Sequence, residues 1–204
     1  MEKTRNVEQD IIEAARKVFQ KNGFREATMR DIANEANINL AMVHYYFRSK
    51  DNLFYIVFDE AFRMLYEKIT KIITNEKLDI FEKIRILVNE YISFFNKNPQ
   101  IPLFIVREII RNPEEIGDRM KININPVPTF NHFACQLQEE YEKGTIRKIS
   151  ALSLVINIIS LCVFPALAKS IIINVSGLTE VEMEAIAESR KKEVADFIIN
   201  SIRV

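Results

Sequence analysis

The chain has 204 residues, of which 48% are hydrophobic and 27% are charged. This length can bury a sizeable core and suits one small domain plus a larger domain of about 150 residues. The 28 basic residues are balanced by 28 acidic ones, so the molecule has no overall positive charge that would attract nucleic acid. Any affinity for DNA must come from a local surface.

The first part of the chain predicts two helices in succession. An amphipathic helix is predicted over residues 6–22, and it ends at Gly23 because glycine favours the position that follows a helix C-terminus. Thr28 is a good N-cap, and Asp31 stands three residues later in the capping-box position. We therefore expect a second helix from Met29 to Ala36.

A third short helix is predicted directly afterwards. Asn tolerates left-handed backbone and caps helices, so the turn 37–39 breaks the pattern and Asn39 caps a helix over 40–47. A turn of this length between two short helices is typical of a helix-turn-helix. Val43 and Phe47, spaced four residues apart, are expected to face inward. The exposed side of this helix would then carry Leu40, Ala41, His44 and Tyr45, a face suited to a DNA major groove.

The rest of the chain also predicts helices, from apolar spacing, caps and prolines. The predicted helices cover 51–75, 79–97, 102–111, a short segment from Pro113, 130–143, 149–175 and 179–202, with a loop at 123–128. No strand pattern and no internal repeat occurs. The sequence therefore predicts an all-α protein.

The run from Thr28 to Leu53 resembles the DNA-binding signature of TetR/AcrR-type bacterial transcriptional regulators. It contains Thr, then Ile-Ala, a turn, an aromatic cluster that ends in Phe47, and Ser-Lys-acid-x-Leu. The chain departs from the common family pattern at Asn37, Ala41 and His44. The resemblance implies a three-helix helix-turn-helix domain over residues 1–48, followed by a helical ligand-binding and dimerisation domain over 49–204.

Contacts with DNA are predicted around this motif. Lys50 is expected to meet a phosphate, because a cation and exposed N–H groups coincide at the start of the next helix. Tyr46, by contrast, is expected to pack inward beside Phe47. The full predicted set is Thr28, Arg30, Asn39, Leu40, Ala41, His44, Tyr45 and Lys50.

The larger domain is rich in aromatic residues, and a helical domain with many rings commonly holds an apolar pocket. Core packing is the competing interpretation for each ring. Arg107 and Glu108 lie in an apolar helix, where they would pair with each other or orient a ligand. The predicted ligand-binding set is Phe62, Tyr66, Tyr91, Phe94, Phe104, Arg107, Glu108 and Phe133.

Metal and cofactor sites are not predicted. His132 and Cys135 flank Phe133, but a lone His and a lone Cys have no metal-ligand spacing. Cys135 and Cys162 form no CxxC motif, and the chain opens without a secretory signal, which favours a reduced cytoplasm. The sequence has no G-x-S-x-G, no P-loop and no H-E-x-x-H, so an enzyme is not expected.

Residues 149–168 contain no charged side chain and leave two interpretations open. A stretch of this length could span a bilayer, but a buried central helix of an all-α protein has the same composition. We expect the helices at 149–175 and 179–202 to form a four-helix dimer seam, with Met183, Ile186, Val194, Phe197 and Ile198 contributing to it.

The sequence thus predicts a homodimeric transcriptional regulator. It would repress from a palindromic double-stranded DNA operator and be released by a small apolar or amphipathic ligand. The alternative is a helical membrane-associated or binding protein that uses the 149–168 segment. A second rival is an all-α enzyme with its active site among the aromatic residues.

Overall fold

The chain is described here from a computed structural model, which covers residues 6–111 and 113–204. Within these ranges it folds into eleven helices, with one isolated antiparallel bridge between Ile146 and Arg203. The predicted all-α fold is confirmed. In chain order the helices are α1 (Val7–Glu26), α2 (Met29–Ala36), α3 (Leu40–Phe47), α4 (Lys50–Ile73), α5 (Ile80–Lys97), α6 (Gln100–Arg111), α7 (Pro113–Ile124), α8 (Val127–Glu142), α9 (Ala151–Leu167), α10 (Lys169–Ser176) and α11 (Glu180–Ile202).

Three helices begin at a capping box, in which the cap side chain accepts from the N3 amide and the N3 carboxylate accepts from the cap amide. These pairs stand before α2, α5 and α11 and were readable in the sequence. Because each pair satisfies exposed N–H groups locally, it fixes where its helix starts. The pairs are Thr28 with Asp31, Asp79 with Glu82, and Thr179 with Glu182.

Two hydrophobic cores are arranged along α4. The first contains α1, α2, α3 and the first half of α4, together with side chains of α5, α6 and α7. The second contains the second half of α4 with α5, α8, α9 and α11. Tyr91 and Phe94 of α5 pack against both cores. Helix α4 therefore runs from the first core into the second, and α5 also contributes side chains to both.

Some predicted helix ends differ from the structure. At Gly23 the backbone leaves helical conformation with a φ of 72°, and a further turn carries α1 to Glu26. Glycine adopts this φ at little cost, so the corner lies where the sequence placed it. Helix α8 begins at Val127, earlier than predicted, because Pro126 and Pro128 occupy its N-terminus, where a missing N–H is tolerated.

The single helix predicted over 149–175 is wrong. The chain forms α9 and α10 instead, and these meet at Ala168 with a bend of 62°. Pro165 lies in the last turn of α9 and has no N–H to donate to the Leu161 carbonyl four residues earlier. The Nη2 of Arg190 donates to that carbonyl at 2.9 Å instead.

The predicted dimer seam is also corrected in part. Met183, Val194 and Ile198 are 5%, 4% and 2% exposed and belong to the interior of the protomer. Ile186 and Phe197 remain on the surface.

Among the described residues, no single helix is long and apolar enough to cross a membrane. Helices α9 and α10 reach the required length and apolar character only when they are counted together across their bend.

Candidate nucleic-acid interface and ligand cavity

Helices α2 and α3 form a helix-turn-helix. Asn37 adopts the left-handed conformation, with φ 53° and ψ 47°. The Ile38 amide then donates to the Ala33 carbonyl at 3.0 Å. Asn39 caps α3 by accepting from the Ala41 amide at 2.9 Å. The turn is thus held by backbone and cap hydrogen bonds at both ends, which fixes the angle between the helices.

Helix α3 has one buried face and one exposed face. Val43 and Phe47 are 0% and 4% exposed and anchor it to the first core. Tyr45 is 78% exposed, and Tyr46, predicted to pack inward, is 40% exposed. The Tyr46 prediction is therefore wrong: its ring lies tilted against Phe47 but reaches solvent. An exposed aromatic face on a rigidly mounted helix is suited to a partner surface.

His44 on this face has one ring nitrogen directed at the backbone. Its Nδ1 lies 3.3 Å from the Arg48 carbonyl oxygen. A carbonyl oxygen only accepts, so this contact places the proton on Nδ1. In the neutral ring, Nε2 is then an acceptor on the exposed side of α3.

Lys50 does not present its ammonium group as the sequence predicted. Its Nζ donates to the carbonyl oxygens of Phe24, Arg25 and Ala27, at 2.8, 3.2 and 2.8 Å. It also lies 4.6 Å from the centroid of the Phe24 ring. An ammonium group has three N–H donors, and all three are used. Lys50 thus ties the corner near the end of α1 to the start of α4, and these bonds use the donors that the predicted phosphate contact would need.

A ring cluster joins this part of the chain to α6, and we call it the junction cluster. Phe104 of α6 is 2% exposed and stands at its centre. The rings of Phe24, Phe54, Tyr55 and Phe58 lie around it, with centroid distances of 4.3 to 5.9 Å. Through Phe104, α6 contacts both the corner after α1 and the first half of α4.

Charged side chains reinforce the junction cluster. Glu108 is 1% exposed and accepts hydrogen bonds from the Tyr55 hydroxyl and from Arg107 Nε, the latter at 2.8 Å. Arg107 Nη2 reaches Asp51 at 2.9 Å. Burial, and then the Glu108 carboxylate, raise the pKa of Tyr55 to about 12, so its hydroxyl stays a donor. A buried charge is tolerated only with such partners.

Helix α7 contributes a similar tie to α4. Arg119 Nη1 donates to Asp59 Oδ2 at 2.9 Å, and its guanidinium carbon lies 4.1 Å from the Tyr55 ring centroid. Met120, the next residue, lines an apolar cavity between the helices. The α4 side chains that face the junction and those that face this cavity are therefore held by the same neighbouring helix.

The cavity lies between α4, α5, α7, α8 and α9 and has a volume of about 240 Å³. Its lining is apolar apart from hydroxyl groups. The lining residues are Phe62, Tyr66, Ile69, Ile73, Leu87, Tyr91, Met120, Ile124, Pro126, Thr129, Phe130, Phe133, Val155, Ile158 and Ile159. An apolar cleft between helices is a usual place for a small ligand.

Comparison with known proteins identifies the N-terminal segment. Residues 11–55 match the family described as bacterial regulatory proteins, tetR family. The chain carries a TetR-family DNA-binding domain. The matched segment covers most of α1, all of α2 and α3 and the start of α4, so the family resemblance and the helix-turn-helix geometry refer to the same residues.

The chain also matches two curated proteins over segments longer than this domain. A probable HTH-type transcriptional regulator, YttP of Bacillus subtilis (strain 168), is 30% identical over 102 residues, which is 48% of each chain. The nicotine-responsive transcriptional repressor HdnoR of Paenarthrobacter nicotinovorans is 31% identical over 87 residues, or 43% of this chain and 42% of that protein. The chain thus spans about half the length of the curated relatives it matches.

The whole fold resembles a solved structure. A putative TetR-family transcriptional regulator from Mesorhizobium loti superposes with a TM-score of 0.66 at 18% identity, covering 99% of this chain and 100% of that one. At this identity the likeness concerns the fold alone. It shows that the helices after residue 55 are arranged as in that structure.

The structure divides the predicted ligand residues of this TetR-like chain into two groups. Phe62, Tyr66, Tyr91 and Phe133 line the cavity. The other four do not. Phe104, Arg107 and Glu108 form the junction because of the rotation of α6, which the sequence does not show, and Phe94 of α5 packs between the two cores. Sequence reasoning missed Met120 and Ile124, since α7 has only a weak apolar pattern.

The remaining predicted DNA residues of the TetR-family domain lie around the motif. Thr28, Arg30, Asn39, Ala41, His44 and Tyr45 are exposed, and Leu40 is half-buried. Thr28 also donates its hydroxyl to Asp31 at 2.7 Å, besides capping α2. Its side chain and its backbone N–H, which donates to Asp31 Oδ2 at 2.9 Å, are therefore both engaged in the capping box.

Proposed function

We propose that this chain is a homodimeric transcriptional regulator that binds operator DNA through α3 and responds to a small ligand in the cavity. The observation that carries the proposal is a capped helix-turn-helix with an exposed recognition face of Leu40, Ala41, His44 and Tyr45. We take residues 1–48 as the DNA-binding domain and 49–204 as the ligand-binding and dimerisation domain. Such a protein would act in the cytoplasm, where its operator lies.

The side chains around α3 divide by the part of DNA they would meet. His44 carries an exposed acceptor, Nε2, suited to an amino group of adenine or cytosine in the major groove. Tyr45 offers a hydroxyl for a phosphate or a base, and the exposed Arg30 and Asn39 would contact phosphates, which fix the register. Leu40 and Ala41 suit a thymine methyl group.

Dimerisation is supported by apolar side chains that the protomer leaves uncovered. Leu152, Ile156 and Phe164 of α9 are 56%, 53% and 65% exposed, and Phe197 of α11 is 67% exposed. Exposed apolar patches of this kind mark protein interfaces. A two-fold dimer would present two α3 helices to half-sites about 34–36 Å apart, or a multiple of that distance.

Helix α4 would couple the cavity to the DNA-binding domain. It has 24 residues and is about 36 Å long. Its C-terminal end is held by the buried Lys83 of α5, whose Nζ donates to the Ile73 carbonyl at 2.6 Å. A ligand that displaces Phe62 or Met120 would therefore shift mainly the N-terminal half. That half carries the ties to Arg107 and Arg119.

The names of the relatives agree with this function. YttP is described as a probable transcriptional regulator, and HdnoR as a nicotine-responsive repressor. We therefore propose repression relieved by a ligand, with no catalytic step. A small pivot of α4 changes the separation of the two α3 helices, and a fixed half-site spacing does not tolerate that change.

Selection from a pool of random duplex DNA tests the function. The full chain should enrich a palindrome. In that site, His44→Ala and Leu40→Ala should each change the preferred base, at about 1–3 kcal/mol per lost base contact. Met64→Ala, at an exposed position of α4, is the control and should change nothing. Failure to enrich any sequence would refute the proposal.

A further inference from the structure

The cavity has a definite chemical character. None of the described residues that line it is charged, and most are aliphatic or aromatic. Its volume is about 240 Å³, which is room for about eight groups the size of a water molecule in the liquid. A ligand that fills it must therefore be compact and largely apolar.

Two tyrosine hydroxyls give this apolar site its polarity. The hydroxyl of Tyr66 is buried and has no hydrogen-bond partner among the described residues. Burial raises the pKa of Tyr91, with Cys162 and Tyr66 as its near neighbours. Tyr66 and Tyr91 both line the cavity, so a protonated phenol stands beside its apolar wall. A buried donor without a partner is unfavourable, and a suitable acceptor removes that penalty.

Thr129, the other hydroxyl in the lining, is already engaged. Its Oγ1 lies 3.1 Å from the Oγ1 of Thr70. Among the described lining residues, the buried side-chain atom without a partner is the Tyr66 hydroxyl, and it can donate one hydrogen bond. A ligand that complements the site presents one acceptor there and apolar surface elsewhere.

We propose that the regulatory ligand is an uncharged, mainly apolar molecule with one hydrogen-bond acceptor, such as a ketone or ester, that accepts from the Tyr66 hydroxyl. This rests on the proposed function, whose ligand it specifies. A carboxylate or an ammonium group would enter the cavity without a counter-charge in the lining. Moving such a charge out of water without a partner is strongly unfavourable.

Calorimetric titration of the full chain at pH 7.5, without DNA, tests the ligand class. Four probes of similar size are compared: butyrophenone, butylbenzene, 4-phenylbutanoate and 4-phenylbutylamine. Butyrophenone should bind most tightly. Butylbenzene should bind about 2- to 12-fold more weakly, the range of one net hydrogen bond, and the two charged probes at least about a hundredfold more weakly.

Tyr66→Phe removes only the hydroxyl and should bring butyrophenone down to the affinity of butylbenzene, which itself should not change. Tyr141→Phe is the matched control, since Tyr141 is 41% exposed and lies outside the cavity. Tight binding of a charged probe, a ketone preference that survives Tyr66→Phe, or no binding of any probe would overturn the inference. Because no DNA is present, loss of operator binding would count against the proposed function alone.

Discussion

Replacing Lys50 by methionine tests whether its ammonium group holds the α1 corner or contacts DNA. Methionine keeps the unbranched side chain and removes the charge and the three N–H donors. Three carbonyl oxygens, those of Phe24, Arg25 and Ala27, would lose the donor that now lies at 2.8 to 3.2 Å. The cation–π contact with Phe24 would be lost as well.

The expected loss of stability follows from these contacts. A hydrogen bond with a charged partner is worth about 1.5–3 kcal/mol. The three bonds share one partly exposed group and do not add, so we expect a total loss of about 2–3 kcal/mol. For a chain of this size, that lowers the midpoint of thermal unfolding by about 4–12 °C. Urea denaturation followed by circular dichroism measures the loss directly.

The DNA-binding readout separates the two roles of Lys50. If Lys50 held a phosphate in each protomer, Lys50→Met would reduce the slope of log affinity against log salt by about 0.9 per contact. The structure predicts an unchanged slope, because the group already has its partners. Lys21→Met, at an exposed position of α1, is the control and should alter stability by less than about 0.5 kcal/mol. A reduced slope with unchanged stability would refute the assignment.

Three further predictions concern the junction, the dimer and the pH dependence. Phe104→Ala should reduce the free energy of unfolding by about 3–5 kcal/mol. Leu103→Ala, at the neighbouring position that is 60% exposed, should have little effect. Equal losses of stability in urea titrations of the two variants would contradict the central place of Phe104. Phe164→Glu should convert the dimer to monomer in sedimentation and abolish operator binding, and a dimer that persists would place the interface elsewhere. Hydrogen bonds from the Thr28 side chain and backbone hold the pKa of Asp31 below its ordinary value of 3.8. The ionised Asp31 carboxylate therefore contributes its full stability above pH 3.8. That contribution is lost as the pH falls through the lower pKa that Asp31 has in the folded protein. Asp31→Asn should therefore weaken the loss of thermal stability below about pH 4, and an unchanged acid profile would show that this cap does not matter.

Local signals made much of the fold predictable. The capping boxes at Thr28, Asp79 and Thr179 are four-residue patterns, and each marks the start of a helix in the structure. The helix-turn-helix is likewise local, since Asn37 and Asn39 supply the turn and the cap themselves. Such features need no knowledge of distant neighbours.

The errors arose where distant parts of the chain meet. The carbonyl groups that accept from Lys50 lie 23 to 26 residues earlier in the chain. The position of Lys50 at the start of α4 does not indicate these contacts. Phe104 is as apolar as Phe62, but only the rotation of α6 against α4 decides that one fills the junction and the other lines the cavity. The bend at Ala168 follows Pro165, which has no N–H for the Leu161 carbonyl. That carbonyl accepts instead from Arg190 of α11, a contact between distant parts of the chain.

The central claim is that the cavity and the DNA-binding domain are coupled through α4. Calorimetric titration of butyrophenone into the full chain, with and without saturating amounts of the selected operator, tests it most directly. Coupling is reciprocal, so the operator should weaken ligand binding by the same factor by which the ligand weakens operator binding, about 5- to 150-fold for typical coupling energies. Equal ligand affinities in the presence and absence of operator would contradict the claim.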